Sequence, residues 1–488
     1  MRQRQESDPV PLKEIEANFE DIHPPLKPEQ AAIEANRCLY CYDAPCMTAC
    51  PTHIEVPRFI KQIAAKNPKG AAKIILEANP MGHSCARVCP VEALCEGACV
   101  YHDWHQKPIE IARLQRAATD FVYSRGARLF EAGVKQSKKV AVIGAGPAGL
   151  STAFYLRRLG YPVTIFEKRP LAGGLNTYGI AEYKMTQATA LQETQLVAEL
   201  GAEFKFGVEI GKDISWEKLE KEYDAVFVGI GLGRTQALNI PGEELSGVSD
   251  ALSFIEQIKT RKFDAITPGR VTVVIGAGNT AIDAVTQAKR LGTPKVILAY
   301  RRSRNEMSAY DYEYELAKKD AVEFLWNAAP KKIVGKGKAE GIEFVRTKTE
   351  GVGRKAELKI IPGSEFIVPC DRVIKAVGQM KQRSVLERVR ILELDATGRI
   401  AVNSKTLQSS NPKYFAGGDA INGGKEVVNA AQDGKRAAWA IHCYLGGDPQ
   451  PAPEHAYWVS TIDVRRMAPP LREKQNPKHE QKKELSSV

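Results

Sequence analysis

The stretch KKVAVIGAGPAGLSTAFYLRRLGYPVTIFEK, residues 138–168, decides the fold class of this chain. An apolar strand runs into a glycine-rich turn, a helix follows, and a second apolar strand ends at Glu167. In the GxGxxG motif, Gly144 makes the tight turn, Gly146 admits a pyrophosphate and Gly149 lets the helix pack on the strand, while the acid accepts from a ribose hydroxyl. The stretch therefore predicts a Rossmann-like unit that binds a dinucleotide.

The same pattern returns in RVTVVIGAGNTAIDAVTQAKRLGTPKVILAYRR, residues 270–302, with Gly276, Gly278 and Ala281 in the small-residue positions. Two such units predict an α/β fold with two parallel sheets. No acid closes the second strand here, and an arginine-rich loop stands in its place. Guanidinium groups at this position suit the 2′-phosphate of NADP(H), and a solvated basic loop is the alternative.

A separate stretch indicates that the first unit binds a flavin. The strand around Tyr414 ends in Gly418 and Asp419 and precedes a helical pattern, and Gly173 and Gly174 follow the first unit. The Asp419 carboxylate is placed to hold a ribityl hydroxyl, and a helix N-terminus favours an electron-rich flavin edge. The combination predicts FAD in the first unit and a nicotinamide dinucleotide in the second.

Eight of the ten cysteines lie between Cys38 and Cys99. Two dense runs, one of them ending in Cys50-Pro51, supply soft thiolates at the spacings of iron–sulfur proteins. In two-cluster ferredoxins the cysteine before proline ligates the other cluster, which predicts that Cys50 crosses to the second run. Zinc and unliganded thiols are the alternatives.

Composition bounds the remaining possibilities. The chain has 488 residues, 43% of them hydrophobic and 26% charged, so two to four domains are expected. No apolar run approaches 18 residues and no secretory signal is visible, so we expect a cytoplasmic protein without a membrane span. The net charge of +11 arises partly from the C-terminal tail, and nucleic-acid binding is disfavoured.

Taken with the order of these motifs, further stretches resemble a known family. GGLNTYGIAEYKM at 173–185, IPGEELSGV at 240–248 and AVGQ at 376–379 are similar to the electron-input module shared by dihydropyrimidine dehydrogenase and the glutamate synthase small subunit. The cysteine runs look closer to dihydropyrimidine dehydrogenase, and the chain resembles its separate bacterial electron-input subunit. The resemblance implies an α/β fold with an all-α N-terminal iron–sulfur domain and an NAD(P) domain inserted in the FAD domain.

The resemblance also implies specific ligands. The two [4Fe–4S] clusters would take Cys38, Cys41, Cys46 and Cys99, and Cys50, Cys89, Cys95 and Gln115. Cys85 is then a bystander. FAD contacts would come from Val88, Gly144, Gly146, Pro147, Ala148, Gly149, Glu167, Lys168, Gly173, Gly174, Leu175, Lys184, Ile210, Gly418, Asp419 and Val427. NAD(P) contacts would come from Gly276, Gly278, Asn279, Thr280, Ala281, Arg301, Arg302, Ala376, Val377 and Gly378.

The family and the residues disagree about the nicotinamide cofactor. Lys184 replaces the arginine usual near the flavin, and Ser308 replaces a second phosphate-binding arginine of NADPH-dependent members. The bacterial subunits are similar to NADH users, whereas Arg301 and Arg302 favour NADPH. The expectation is therefore NAD(P)H.

The expected organisation has five parts. They are a two-cluster helical domain at 1–135, the FAD domain at 136–265 and 375–450, an NAD(P) domain at 266–374, and an extended basic arm at 451–488. The expected enzyme is an NAD(P)H-dependent oxidoreductase subunit whose cofactors carry the chemistry, so no side-chain nucleophile or acid–base pair is required. Electrons would pass through FAD and the clusters to an FMN-containing partner that reduces uracil or thymine, in a heterodimer or heterotetramer. A glutamate synthase small subunit and an electron-bifurcating transhydrogenase subunit are the alternatives.

Overall fold

The computed structural model describes residues 10–351, 357–382 and 392–448. The described residues up to Leu445 pack as one unit. The predicted arm at 451–488 lies outside the described residues.

Helices and parallel strands alternate after an all-helical beginning. The helices are α1 Leu12–Asn18, α2 Pro28–Asn36, α3 Pro45–Ala49, α4 Val56–Ala64, α5 Pro68–Ala78, α6 Gly82–Val88, α7 Ile111–Tyr123, α8 Pro147–Arg158, α9 Leu175–Tyr178, α10 Gln187–Glu199, α11 Trp216–Glu222, α12 Ala251–Thr260, α13 Asn279–Arg290 and α14 Asp311–Lys319, then a short helix Asp419–Asn422 and a long helix Val427–Tyr444. The strands are β1 Val140–Ile143, β2 Val163–Glu167, β3 Glu203–Phe206, β4 Ala225–Val228, β5 Val248–Asp250, β6 Val271–Ile275, β7 Lys295–Ala299, β8 Glu323–Leu325, β9 Ala328–Val334, β10 Gly341–Glu350, β11 Glu357–Ile360, β12 Phe366–Pro369, β13 Arg372–Lys375 and β14 Tyr414–Ala416.

The N-terminal helices form because their apolar residues recur at helical spacing. In α4 the buried residues are Val56, Phe59, Ile60 and Ile63, which lie on one face of the helix. The start of α5 is capped by Asn67, whose side chain accepts from the Gly70 amide at 3.0 Å. This all-α domain was expected from the sequence.

Two parallel sheets follow. The first has the order β14-β4-β1-β2-β3 and the second the order β5-β13-β6-β7-β8. All four residues of β1 and all five of β2 are buried, as expected for parallel strands covered on both faces by helices. Because β14 returns to the first sheet after the second is complete, the second unit is an insertion in the first, as predicted.

Strands β9 to β12 form an antiparallel excursion in which β10 pairs with β9, β11 and β12. Gly- and Lys-bearing turns between residues 331 and 370 connect strands of this segment.

Two predicted boundaries need correction. The strand β5 pairs in parallel with β13, so residues 248–265 belong to the second unit rather than to the first part of the FAD domain. Helix α1 does not pack with the N-terminal domain either. Ile15 and Phe19 are buried in the core of the second Rossmann-like unit, and the ring centres of Phe19 and Phe263 are stacked 4.5 Å apart. The physical reason in both cases is burial of apolar residues on a neighbour distant in sequence, which local patterning does not reveal.

The N-terminal domain is joined to the first Rossmann-like unit through backbone carbonyls. Lys435 on the long helix donates to the carbonyl oxygens of Thr52 at 3.2 Å and Ala78 at 3.1 Å, and the Tyr155 hydroxyl on α8 also donates to Ala78 at 2.8 Å. Burial lowers the pKa of Lys435 to about 8.

Candidate functional site

The first set of cysteines comes together around α3. Cys38 and Cys41 precede this helix, Cys46 lies in it, and Cys99 arrives from a later loop. Burial raises the pKa of the Cys46 thiol to about 12, with Cys38, Cys99 and Cys41 adding to the effect through their proximity. The structure therefore brings together the four residues predicted for one cluster, and all four remain partly exposed.

The second set surrounds an internal cavity. Cys50, Cys89, Cys95 and Gln115 line it, together with Cys85. Gln115 is 6% exposed and its amide nitrogen donates to the Gly82 carbonyl at 2.6 Å. The predicted ligand set is thus assembled in one place.

Cys85 lies closer to this set than its expected bystander role implies. The Asn79 amide donates to the Cys85 sulfur at 3.2 Å. A hydrogen bond with Cys85, together with burial, raises the pKa of Cys89 well above its usual value. Cavity geometry alone does not choose between Cys85 and Gln115 as the fourth ligand, so the choice of Gln115 stays a prediction from the family.

Both sets have the donor chemistry of iron–sulfur sites, because thiolates are the ligands that hold such clusters. Within residues 10–351, 357–382 and 392–448, no three His, Cys, Asp or Glu side chains are placed to bind a single metal ion. The second set lines a shared cavity, and the thiols of the first set lie close enough to raise the pKa of Cys46, so the residues present fit the predicted clusters.

The first glycine motif has the backbone that a dinucleotide requires. Gly144 has φ of 95°, and a Cβ there would lie 2.4 Å from the Gly229 carbonyl oxygen. A Cβ on Gly174 would lie 2.9 Å from the Gly146 Cα, so two glycine loops approach each other at the carboxyl edge of the sheet. Glu167 accepts from the backbone amides of Ala145 and Arg169, each at 2.9 Å. This is a cradle for a pyrophosphate at a helix N-terminus.

Most remaining predicted flavin contacts surround the same edge. Pro147, Ala148 and Gly149 open α8, and Gly173 and Leu175 lead into α9. Gly418 and Asp419 follow β14, and burial raises the pKa of Asp419. Val427 opens the long helix, and exposed Lys168 follows β2. Ile210 packs in the core beside Phe166 and Val226.

The second glycine motif is built in the same way. It joins β6 to α13, which carries Asn279, Thr280 and Ala281 in its first turn. Gly276 has φ of 130°, and a Cβ there would lie 2.3 Å from the Ala376 carbonyl oxygen. Ala376, Val377 and Gly378 follow β13 at the same edge, so the structure brings these predicted contacts together.

The basic loop after β7 contains an acid that motif reasoning missed. Arg302 pairs with Glu306 at 2.7 Å, and Glu306 also accepts from Ser303 and Thr349. Its hydrogen bonds, the one from Arg302 foremost, lower the pKa of Glu306 to about 2. Arg301 is exposed and forms no ion pair within the described part of the chain. The capping-box spacing of Ser303 and Glu306 is the sequence signal that could have found this acid.

A buried ion triad joins the two Rossmann-like units. Lys184 lies 2.6 Å from Asp283 on α13 and 2.5 Å from Glu313 on α14. Burial opposes the charge on Lys184, but attraction to Asp283 outweighs it and raises the pKa of Lys184, whereas burial raises the pKa of Glu313. The Tyr310 hydroxyl, from the loop before α14, donates to Glu426 at 2.8 Å, at the start of the long helix. Neither contact is visible in any local motif.

A cleft of about 460 Å³ lies between this triad and the N-terminal domain. Val88, Cys89, Lys184, Tyr312 and Glu313 line it. The cleft therefore places Val88 and Lys184, both predicted to lie near the flavin, beside a predicted cluster ligand.

A buried carboxylate fixes α6, which precedes Cys89, to the first Rossmann-like unit. Glu193 on α10 is 1% exposed and accepts from the Ser84 amide at 2.8 Å and from the Ser84 hydroxyl. The Asn176 amide donates to the same hydroxyl at 3.0 Å. Burial raises the pKa of Glu193 to about 7.

Comparison with known families agrees with this division of the chain. Residues 15–127 match the family described as dihydropyrimidine dehydrogenase domain II, 4Fe–4S cluster, and residues 138–434 match the pyridine nucleotide–disulphide oxidoreductase family. Among the described residues, no helix has the length and apolar character needed to cross a bilayer.

Two curated relatives match over nearly their full length. The small chain of NADPH glutamate synthase from Halomonas elongata is 36% identical, over 91% of this chain and 96% of the relative. The NAD-dependent dihydropyrimidine dehydrogenase subunit PreT from Salmonella typhimurium is 35% identical, over 88% of this chain and 97% of the relative.

Solved structures agree on the fold of the two Rossmann-like units. FprA from Mycobacterium tuberculosis in complex with NADPH has a TM-score of 0.53 at 19% identity, covering 68% of this chain and 90% of that one. Thioredoxin reductase from T. acidophilum has a TM-score of 0.51 at 23% identity, covering 63% of this chain and 98% of that one.

Proposed function

Because the chain belongs to the family of NAD(P)H-dependent flavin oxidoreductases that carry an N-terminal 4Fe–4S domain, we propose that it is the electron-input subunit of a dihydropyrimidine dehydrogenase. Its partner in this proposal is an FMN-containing subunit that reduces uracil or thymine to the 5,6-dihydropyrimidine. The observation that carries the proposal is the second cysteine cavity, where both Cys85 and the buried amide of Gln115 stand beside Cys50, Cys89 and Cys95. The family resemblance selects Gln115 as the fourth ligand, and a glutamine rather than a carboxylate at this position favours dihydropyrimidine dehydrogenase over glutamate synthase.

FAD, when bound, accepts a hydride from the nicotinamide and releases electrons singly. The protein supplies the positions. The two glycine loops would hold the dinucleotides at the carboxyl edges of their sheets, and the triad of Lys184, Asp283 and Glu313 fixes one unit against the other. A fixed geometry of this kind serves reaction between two bound groups because orientation need not be regained at each turnover.

The cysteine sets have an order relative to the flavin side. Val428 on the long helix lines the second cavity, so the second set lies nearest the predicted flavin edge. Burial raises the pKa of Cys95 in the second set, and the nearby Cys46 thiol of the first set adds to this effect. The two sets therefore lie near each other. The order that these contacts support is flavin, second set, first set and then the protein surface.

Within this proposal NADH is the preferred donor. Glu306 forms an ion pair with the Arg302 guanidinium and places a negative charge where an NADPH 2′-phosphate would bind. Ser308 adds no positive charge, which leaves exposed Arg301 as the one unpaired arginine among Arg301, Arg302 and Arg304. The negative charge of Glu306 repels a phosphate at this loop and so disfavours NADPH.

The test begins with cofactor content and ends with turnover. Anaerobically purified protein should contain one FAD, about eight irons and no FMN per chain. Mixed with the FMN subunit of a dihydropyrimidine dehydrogenase, it should reduce uracil with NADH, while either protein alone should not. Stoichiometric zinc with negligible iron contradicts the cluster assignment, and a full cofactor set without uracil turnover contradicts the choice of partner.

The glutamate synthase relative gives a second candidate, because its 36% identity extends over 91% of this chain. In that case the electron acceptor is the large subunit of a glutamate synthase. In a second assay, the same protein preparation is mixed with that large subunit, glutamine and 2-oxoglutarate. The mixture that consumes NADH identifies the function.

A further inference from the structure

Large apolar side chains project into solvent around the first cysteine set. Tyr42, which follows Cys41, is fully exposed at 106%, and Leu39, between Cys38 and Cys41, is 43% exposed. Ile33 is 70% exposed and Trp104 is 57% exposed. Single exposed apolar residues are ordinary, but a group of this size around one site marks an interaction surface. We refer to Ile33, Leu39, Tyr42 and Trp104 as the apolar patch.

Direct contacts join the loop that carries Trp104 to the end of α2, the helix that carries Ile33. The Tyr101 hydroxyl donates to the Arg37 carbonyl at 2.7 Å, and the Arg37 guanidinium lies 5.3 Å from the centre of the Tyr101 ring. The Trp104 ring meets Tyr101 edge-on at 5.7 Å. Arg37 stands next to Cys38 and one turn after Ile33. The loop after Cys99 is thereby fixed against the end of α2.

The patch carries acidic residues at its edge. Asp43 follows Tyr42 and Asp103 precedes Trp104; both are exposed, and neither forms an ion pair within the part of the chain that the structure describes. The nearby Lys107 is paired with Glu110. His102 and His105 are the other exposed titratable groups on this loop. An apolar centre with an acidic edge fits a partner surface that is apolar at its centre and basic around it.

The position of the patch identifies the kind of partner. Electron transfer between centres slows steeply with distance, so an acceptor must approach the set of thiols nearest the surface. All four thiols of the first set are partly exposed, whereas the second set combines partly exposed Cys89 and Cys95 with buried Cys50 and Gln115. Because the second set also lines the cavity beside Val428 on the flavin side, the first set lies farther along the proposed route toward the surface.

We propose that the apolar patch is the docking surface for the electron-accepting subunit, a protein whose own redox centre lies close to a surface with a basic edge. Trp and Tyr are the residue types that dominate binding energy in protein interfaces, which makes Trp104 and Tyr42 the expected anchors. The proposal rests on the proposed function, because it requires electrons to leave through the cysteine sets.

The experiment replaces the anchors one at a time in the full chain, as Tyr42→Ser, Trp104→Ser and Ile33→Ser. Matched controls are Phe206→Ser on β3 and Ile367→Ser on β12, which are 44% and 56% exposed and lie outside the N-terminal domain. Two anaerobic assays use NADH as donor: uracil reduction with the purified FMN subunit, and reduction of cytochrome c, a basic haem protein. NADH-dependent reduction of dichlorophenolindophenol and the visible spectrum report on the flavin and the clusters.

The patch variants should keep the parent spectrum and dye reduction, while the KM for the FMN subunit rises about tenfold or more. The rate with cytochrome c should fall in parallel, and the controls should match the parent in both assays. Parent-like KM values in Trp104→Ser and Ile33→Ser overturn the proposal. The proposal is also overturned if the patch variants change only the self-association of the chain or its contact with residues 451–488. The patch would then bind another part or copy of this chain rather than the accepting subunit.

The two proposals fail in different ways. If the parent protein reduces cytochrome c but not uracil, the assigned partner is wrong. The ratio of the variant's cytochrome c reduction rate to the parent's rate then still tests whether the patch is a docking surface. A parent that reduces uracil while the patch variants do so equally well removes the patch alone.

Discussion

Replacing the buried Glu193 by glutamine should make the protein more stable at neutral pH, although it alters a hydrogen-bonded core residue. Burial raises the pKa of this carboxyl from 4.5 to about 7 in the folded chain. A raised folded-state pKa means that the protonated form favours folding, and this advantage is lost as the pH rises through the window from about 4.5 to 7. The parent therefore loses about 2 kcal/mol through this residue between pH 5 and pH 7.5.

The amide of Glu193→Gln does not titrate and still accepts from the Ser84 amide. Apparent Tm values should be measured from pH 5 to pH 7.5 for the parent and the variant. The fall in Tm over this range should be about 4–8 °C smaller in Glu193→Gln if the first Rossmann-like unit unfolds as one domain, because domains of about 150–250 residues shift by about 2–4 °C per kcal/mol.

Glu199→Gln is the matched control. Glu199 is exposed on the same helix, so the variant should follow the parent at every pH. Parallel Tm curves for the parent and Glu193→Gln would refute the reasoning, since they would mean that Glu193 is ionised or protonated alike in both states of the chain.

Three further predictions address the site. Lys184→Met should destabilise the protein by about 3–5 kcal/mol because it leaves Asp283 and Glu313 buried without a counter-charge, whereas Lys138→Met, at an exposed pair with Asp224, should cost at most about 1 kcal/mol; equal urea midpoints for the two variants would contradict the triad. Gln115→Cys should retain both clusters and lower the reduction potential of the second cluster, whereas Gln115→Ala should make that cluster labile. Cys85→Ser should retain the iron content. Loss of iron in Cys85→Ser without loss in Gln115→Ala would assign the fourth ligand to Cys85. Glu306→Gln should raise kcat/KM for NADPH several-fold with little change for NADH, and Arg302→Ala in that background should reverse the gain; equal effects on both donors would show that the loop does not contact the adenosine phosphate.

The sequence predicted the parts of the fold that depend on local pattern. Each of the two glycine motifs follows from spacing within some thirty residues. The insertion of one unit in the other came instead from the resemblance to a known family. The strand β5 and helix α1 were misplaced because their partners, β13 and Phe263, lie far away in the chain. Neither segment carries a signal that names its neighbour.

The site shows the same contrast. Cysteine spacing and the family indicated which thiols gather in each set, and the structure assembles both groups. Lys184 was predicted only as a basic residue near the flavin, and its partners Asp283 and Glu313 lie 99 and 129 residues later in the chain. Glu193 and Ser84 likewise meet across 109 residues. Pairing of buried charges is decided by tertiary packing, which one sequence does not display.

The joint between the N-terminal domain and the first Rossmann-like unit has an evolutionary consequence. Lys435 and Tyr155 donate to the main-chain carbonyls of Thr52 and Ala78 rather than to side chains. Every amino acid offers the same carbonyl, so these bonds do not depend on which side chains stand at positions 52 and 78. Divergence of the helical domain is therefore limited at this joint by packing and by side-chain contacts such as that of Ser84 with Glu193, while Lys435 and Tyr155 must persist in the flavin-binding unit.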